Sequence, residues 1–221
     1  MIAIENLSKS FRTPGADKIV AQNVNVIFPS GKAVALLGRN GAGKSTMMNM
    51  IGGSMRPDRG RIVVTGTISW PVGFSGSFHP DMTGAQNTRF IARVYGVDSA
   101  ELEDFVQDFA EIGAHFHVPV RHYSSGMRSR LAFGVSIGIP FNTYLVDEVT
   151  AVGDANFKRK SRLFFMDRME KAGAVMVSHS MGEIRKMCSA GAVLERGVLT
   201  YYEDVLEAID VHHANMGTPE E

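Results

Sequence analysis

An α/β fold with an inserted helical segment is predicted by three observations. Short apolar runs alternate with helical stretches toward both ends of the chain. One of these runs leads into G-R-N-G-A-G-K-S-T over Gly38 to Thr46, and an amphipathic helical region interrupts the alternation in the middle. Bulk composition agrees: 221 residues suffice for a compact domain and a subdomain, and 44% hydrophobic with 21% charged residues is the balance of a folded globular chain.

Taken in order, the N-terminal third reads as strands and turns. Ile2 to Asn6 and Lys18 to Phe28 are strand candidates, with Pro14-Gly15 and Pro29-Ser30-Gly31 as turns. Lys32 to Leu37 predicts a buried strand, and Thr46 to Ile51 a helix. Arg56 to Gly60 makes a turn, after which Arg61 to Val64 and Thr67 to Trp70 read as short strands joined at Gly66. Composition changes near Pro71, and from Thr83 to about Met127 the pattern is mostly helical. Thr83 followed by Gln86 is a capping-box pair. Leu102, Phe105, Val106, Phe109 and Ile112 recur at helical spacing. From Asn142 the strand–helix alternation resumes, with strands at Tyr144 to Val146, Ala174 to Ser178 and Ala192 to Glu195. The expected organisation is one domain over 1–221, with a core of 1–79 and 136–221 and a helical subdomain of 80–135. The tail after Asn215 is expected to fray.

Charge and cysteine content narrow the classes. Formal net charge is zero, which argues against a nucleic-acid binder relying on a general basic field. Cys188 is the only cysteine, so no intrachain disulfide forms and a reducing compartment is expected. The start shows no charged leader before an apolar core, so no signal peptide is expected. The apolar-leaning stretch Leu131 to Val146 is broken by Ser136, Gly138, Pro140, Asn142 and Thr143, too short and interrupted for a membrane span. The thirteen methionines read as adaptable core packing.

The glycine-rich stretch fits the phosphate-loop pattern G-x-x-x-x-G-K-[ST] at every fixed position, between a strand and a helix as the chemistry requires. A backbone wrapping a triphosphate needs close approach and N–H groups pointing inward. Gly38, Arg39, Asn40, Gly41, Ala42, Gly43, Lys44, Ser45 and Thr46 are therefore the expected nucleotide cradle. Lys44 serves the β- and γ-phosphates, and the Ser45 hydroxyl serves Mg²⁺. Asn142 to Glu148 reads N-T-Y-L-V-D-E, an apolar strand ending in two carboxylates. Asp147 is the expected Mg²⁺ ligand or its second neighbour, and Glu148 the group that orients or deprotonates the attacking water.

Tyr123-Ser-Ser-Gly-Met127 precedes that strand and resembles the L-S-G-G-Q motif of ATP-binding-cassette ATPases. Ser124 and Gly126 match, whereas Tyr123, Ser125 and Met127 replace leucine, glycine and glutamine. Ala151-Val-Gly-Asp154 resembles the family's D-loop, with Asp154 in the matching place. His179, after an apolar strand, resembles the switch histidine, and Phe11 stands where the family stacks an aromatic ring on adenine. The run Asp147-Glu-Val-Thr-Ala-Val-Gly-Asp-Ala-Asn-Phe157 resembles the polysaccharide-exporting branch. The stretch from Ile68 to Phe74, together with Thr83, Gly84 and Asn87, resembles capsular exporters in particular.

The resemblance implies a RecA-like P-loop NTPase core with an N-terminal antiparallel β subdomain and an inserted α-helical subdomain. It implies ATP and Mg²⁺ as cofactors, with Glu148, His179 and Lys44 catalytic. Ser124 and Gly126 would act across a head-to-tail dimer of two copies with two nucleotides between them, and Asp154 would belong to the nucleotide site. Integral membrane permease subunits, and through them periplasmic co-polymerase or export proteins, would be the other partners, at the cytoplasmic face of a bacterial inner membrane. An exporter of O-antigen or teichoic acid is the near alternative, and a soluble cassette acting on ribosomes or DNA the more distant one. The family's usual glutamine in the loop after the core strand has no counterpart: that place falls near Phe74 or Ser75.

The remaining polar candidates have plain readings. His115 and His117 lack further ligands at metal spacing and read as surface. Lys158-Arg159-Lys160 with Arg162 reads as a solvated helix face. Arg89 and Arg93, four apart, read as a surface pair that a permease can meet. His212-His213 near the tail carries no assigned role.

Overall fold

A computed structural model describes residues 1–13, 16–73, 76, 78–147 and 154–217. In chain order the elements are β1 (Ile2–Thr13), β2 (Ala16–Phe28), β3 (Ala33–Leu37), α1 (Lys44–Ile51), β4 (Arg59–Val64), β5 (Ile68–Pro71), α2 (Gly84–Tyr95), α3 (Ser99–Ala110), α4 (Ser125–Gly138), β6 (Thr143–Asp147), α5 (Ala155–Lys171), β7 (Gly173–Val177), α6 (Met181–Met187), β8 (Ala190–Glu195), β9 (Val198–Tyr202) and α7 (Val205–Gly217). Two 3₁₀ turns, Gly113–His117 and Val120–His122, lie between α3 and α4.

The chain divides into two compact units. The first comprises 1–69, 141–148 and 169–221; the second comprises 70–140 and 149–168. In the first unit, β2, β1 and β4 form an antiparallel sheet in that order. The strands β5-β6-β7-β3-β8-β9 form the other sheet of the described residues. Within it β6, β7, β3 and β8 run parallel, and β9 returns antiparallel to β8. Residues 34–37, 143–146, 173–177 and 190–194 are all buried, the unbroken apolar pattern of a parallel sheet covered on both faces.

Helix α1 shows how packing overrides local propensity. Eight residues are too few for a helix to persist alone in water. Met47, Met48, Met50 and Ile51 are each at most 3% exposed against Leu36, Leu145 and Val175 of the sheet. Each such side chain contributes roughly 1.5–3 kcal/mol of transfer free energy. Three methionines and one isoleucine thereby hold the helix, and the core role expected of methionine is realised here. Cys188 is buried beside Met176, and burial pushes its thiol pKa up to about 12.

The second unit is helical. The Thr83 hydroxyl accepts from Gln86 N at 3.1 Å while Gln86 Oε1 accepts from Thr83 N at 2.9 Å, the reciprocal cap expected from sequence. Helix α3 ends at Ala110 with Glu111 in the left-handed region (φ 51), so Ile112 of the predicted stripe lies beyond the helix, yet remains buried. The mostly helical stretch expected from Thr83 consists of α2, α3, two 3₁₀ turns and α4, which continues to Gly138. The seven residues 131–137 of α4 are all buried, so no amphipathic period marks its course. Phe109 gathers Phe105, Phe133, Phe157 and Phe164 at ring-centroid distances of 5.2–5.9 Å, the aromatic centre of this unit.

Candidate functional site: a phosphate loop at the edge of a parallel sheet

Parallel strands deliver their C-terminal ends to one edge, where open α/β sheets bind ligands. Leu37 leads into the glycine loop, and Asp147 pairs in register with Val177, two residues before His179. A cavity of about 290 Å³ at this edge is bounded by Gly43, Lys44, Ser45, Asp147 and His179, among others. Two of the expected catalytic residues and both expected metal ligands thus share one site. Glu148, Val149 and Thr150, with Ala151 to Gly153, lie outside the described residues, as do Phe74, Ser75 and Ser77 at the place of the missing glutamine.

The loop backbone explains its glycines at two positions. A β-carbon on Gly38 would stand 2.5 Å from the Leu194 carbonyl oxygen. Gly43 has φ 106, and a β-carbon there would overlap Val20 of β2. Gly43 also caps α1 without any side-chain hydrogen bond, and the first turn carries no acidic residue. The open N–H groups and the positive end of α1 therefore face the cavity, which suits an anion. Lys44 Nζ donates to the carbonyls of Gly38 at 2.7 Å and Arg39 at 3.0 Å. The ammonium is held over the loop it would serve, partnered by groups that a phosphate oxygen can replace. Ser45 is exposed at the cavity, and the Asp147 carboxylate borders the same space. This oxygen pair, one hydroxyl and one carboxylate with room for water, is the donor set that Mg²⁺ takes beside phosphates.

Other expected residues are placed as follows. Phe11 on β1 is 37% exposed, with Lys9 Nζ 5.3 Å from its ring centre. Ser124 is the N-cap of α4, its hydroxyl accepting from Met127 N at 3.2 Å, and it is exposed. Gly126 is exposed too, and a β-carbon there would touch only the Ser124 hydroxyl, at 3.9 Å. Asp154 accepts from Asn156 N and Phe157 N at 3.0 Å and pairs with Arg130 at 2.6 Å. The hydrogen bond from Phe157 N, with Arg130 beside it, holds the Asp154 carboxyl below the usual range. His115 and His117 are exposed, and no group of metal-binding side chains occurs among the described residues. Arg89 pairs with Glu103, and Arg93 is exposed. Lys160 leaves its expected solvated face to pair with Glu111 at 2.5 Å.

Sequence reasoning missed three features. The Arg39 guanidinium donates to the carbonyl of Asn215 in α7 and faces Glu195 at 3.7 Å, so the loop's second residue is tied to the last helix. His212 of α7 is only 7% exposed, with its Nδ1 unpartnered among the described residues. Lys18 of β2 borders the phosphate-loop cavity. Each depends on contacts across long stretches of chain, for which no local signal exists.

Fold and site together define a P-loop nucleotide-binding cassette. The sequence profile of ABC transporters matches residues 21–151. The chain is 49% identical over 213 residues to the polysialic acid transport ATP-binding protein KpsT of Escherichia coli, covering 95% of each chain. It is 38% identical over 214 residues to the capsule polysaccharide export ATP-binding protein CtrD of Neisseria meningitidis, covering 97% of this chain and 99% of that one. Its fold matches the ATP-binding cassette MJ0796, solved as a dimer in a post-hydrolysis state with ADP and Pi, at TM-score 0.75 and 20% identity over 92% of this chain and 98% of that one. The chain belongs to the ABC transporter family, as one of its ATP-binding cassettes. No helix among the described residues is long and apolar enough to cross a membrane.

Proposed function

We propose that this chain is the ATP-hydrolysing motor of an exporter of capsular polysaccharide. The observation that carries the reading is the convergence of Lys44, Ser45, Asp147 and His179 on one cavity at the sheet edge, in a chain 49% identical to a polysialic acid transport protein. In this reading the loop backbone and Lys44 hold the β- and γ-phosphates of ATP, and Phe11 stacks on adenine. Ser45 and Asp147 would hold Mg²⁺, which would neutralise charge on the phosphate oxygens. Ser124 and Gly126 of a second copy close over the γ-phosphate, and Asp154 belongs to the same contact. Both groups are exposed, at a helix N-terminus suited to an anion.

Glu148 accepts a proton from water as the water oxygen bonds to the γ-phosphorus and the bond to the bridging oxygen breaks, giving ADP and phosphate. His179 contacts the γ-phosphate. Departure of phosphate removes the charge that joins the two copies, and their opening and closing drive permease subunits in the inner membrane. Periplasmic export proteins engage through those subunits, and the cassette stays at the cytoplasmic face. The test is Glu148→Gln. ATP binding persists, turnover falls by roughly 10²-fold or more, a nucleotide-bound dimer accumulates on size-exclusion chromatography, and cells carrying the variant retain polysaccharide internally. A monomeric ATP complex, or turnover near wild type, would remove the reading.

A further inference from the structure

We propose that Lys18 is a phosphate ligand of the nucleotide, reaching the loop from the hairpin instead of from the glycine-rich motif. Alternate residues of a strand share a face, and residues directly opposite in an antiparallel pair do too. Lys18 and Val20 are two apart in β2, and Phe11 is the register partner of Lys18. Val20 packs over Gly43 so closely that a β-carbon there would overlap it. Lys18 follows on the same face: its Nζ would stand 3.6 Å from a β-carbon on Gly41. The strand thus lies across the loop, with the aliphatic residue over the last glycine and the ammonium over the middle one.

Charge accounting points the same way. Lys9 is used by Asp58, Lys160 by Glu111, and Lys44 by two loop carbonyls. Lys18 has no hydrogen-bond or ion-pair partner among the described residues, and it is exposed. It borders the cavity of Lys44 and Ser45, and with Asn40 and Gly41 also lines a neighbouring cavity of about 540 Å³. An unpaired ammonium on a flexible stem, aimed at a loop whose N–H groups favour anions, supplies a second cation to a polyphosphate. Lys44 approaches from the helix side and Lys18 from the hairpin side. Phe11 beside it would fix the base, so one strand pair would bind both ends of the nucleotide.

This assignment rests on the nucleotide reading of the same cavity, and the experiment separates the two. Equilibrium titration with ATP and with ADP is run on wild type, Lys18→Met, Lys18→Arg and Lys44→Ala. The methionine retains the stem without the charge. Lys18→Met is expected to weaken both nucleotides on the order of five- to twentyfold, Lys18→Arg to bind near wild type, and the deficit to shrink at high salt. Thermal denaturation should be unchanged, because the side chain is exposed. Lys18→Met within twofold of wild type for both nucleotides, with Lys44→Ala defective, would overturn the Lys18 assignment alone. Lys44→Ala binding like wild type would overturn the nucleotide reading itself.

Discussion

The Tyr123 hydroxyl donates a 2.6 Å hydrogen bond to the carbonyl of His115. The tyrosine stands where the resembled motif has leucine, directly before Ser124. Its ring is 5% exposed, and its oxygen would be 2.5 Å from a β-carbon on Gly84, the first residue of α2. Burial raises the phenol's pKa, and a hydrogen bond involving Gly84 opposes that rise. The substitution thus fastens the N-terminal end of α4 to the first of the two 3₁₀ turns, Gly113–His117. Tyr123→Phe is expected to cost about 1 kcal/mol and to lower Tm by about 2–4 °C. Tyr123→Leu, which leaves space where the ring was, should cost more, about 2–4 kcal/mol. Thermal denaturation of the three proteins checks the order; equal Tm for tyrosine and phenylalanine would show the hydrogen bond contributes nothing.

Gly191 of β8 faces Ala208 of α7, and a β-carbon on the glycine would overlap the alanine's methyl group. Ala208 is fully buried, so neither side has slack. Gly191→Ala should destabilise by about 1–3 kcal/mol through overpacking. Ala208→Gly alone should cost on the order of 1 kcal/mol from helix propensity. The double variant should recover part of the first loss, because the added and removed methyl groups compete for one space. Simple additivity in urea unfolding would mean the two sites are not in contact.

What the sequence revealed depended on how local the cause was. The capping box at Thr83 needs only Gln86 three residues on, and the cradle needs only its own glycines and the helix that follows. Both were legible. The parallel strands were legible as apolar runs, although the strand candidate Ile2 to Asn6 stopped short of a β1 that pairs with β2 as far as Thr13 and Ala16. The course of α4 on to Gly138 was not, because burial of residues 131–137 erases the period that reports a helix. Nor was the contact between Arg39 and Asn215, 176 residues apart. It exists only once α7 has packed on β3 and β8 beside the loop. Lys18 belongs to the same class: its direction follows from hairpin register, which no residue near it encodes.

His212 is the buried titratable group of that packing, and it gives stability a pH dependence. Burial is the leading cause holding its pKa below the ordinary value of 6.5; His213, Lys44 and Arg39 act in the same direction, and Glu195 opposes them. In the unfolded chain the imidazole recovers its ordinary value. Between the two values the unfolded chain binds more protons than the folded one, so stability decreases as pH falls. The contribution is fully present above about pH 6.5, declines below it with a slope of at most about 1.4 kcal/mol per pH unit for one proton, and levels off once pH passes below the folded value. His212→Asn removes the titration while retaining a polar side chain. Measured by urea unfolding from pH 5 to pH 8, the difference between wild type and variant should therefore change in the variant's favour as pH falls. Titrating groups that do not interact with His212 are common to both proteins and cancel in that difference. Parallel stability curves would place the His212 imidazole in water instead of against the phosphate-loop end of β3.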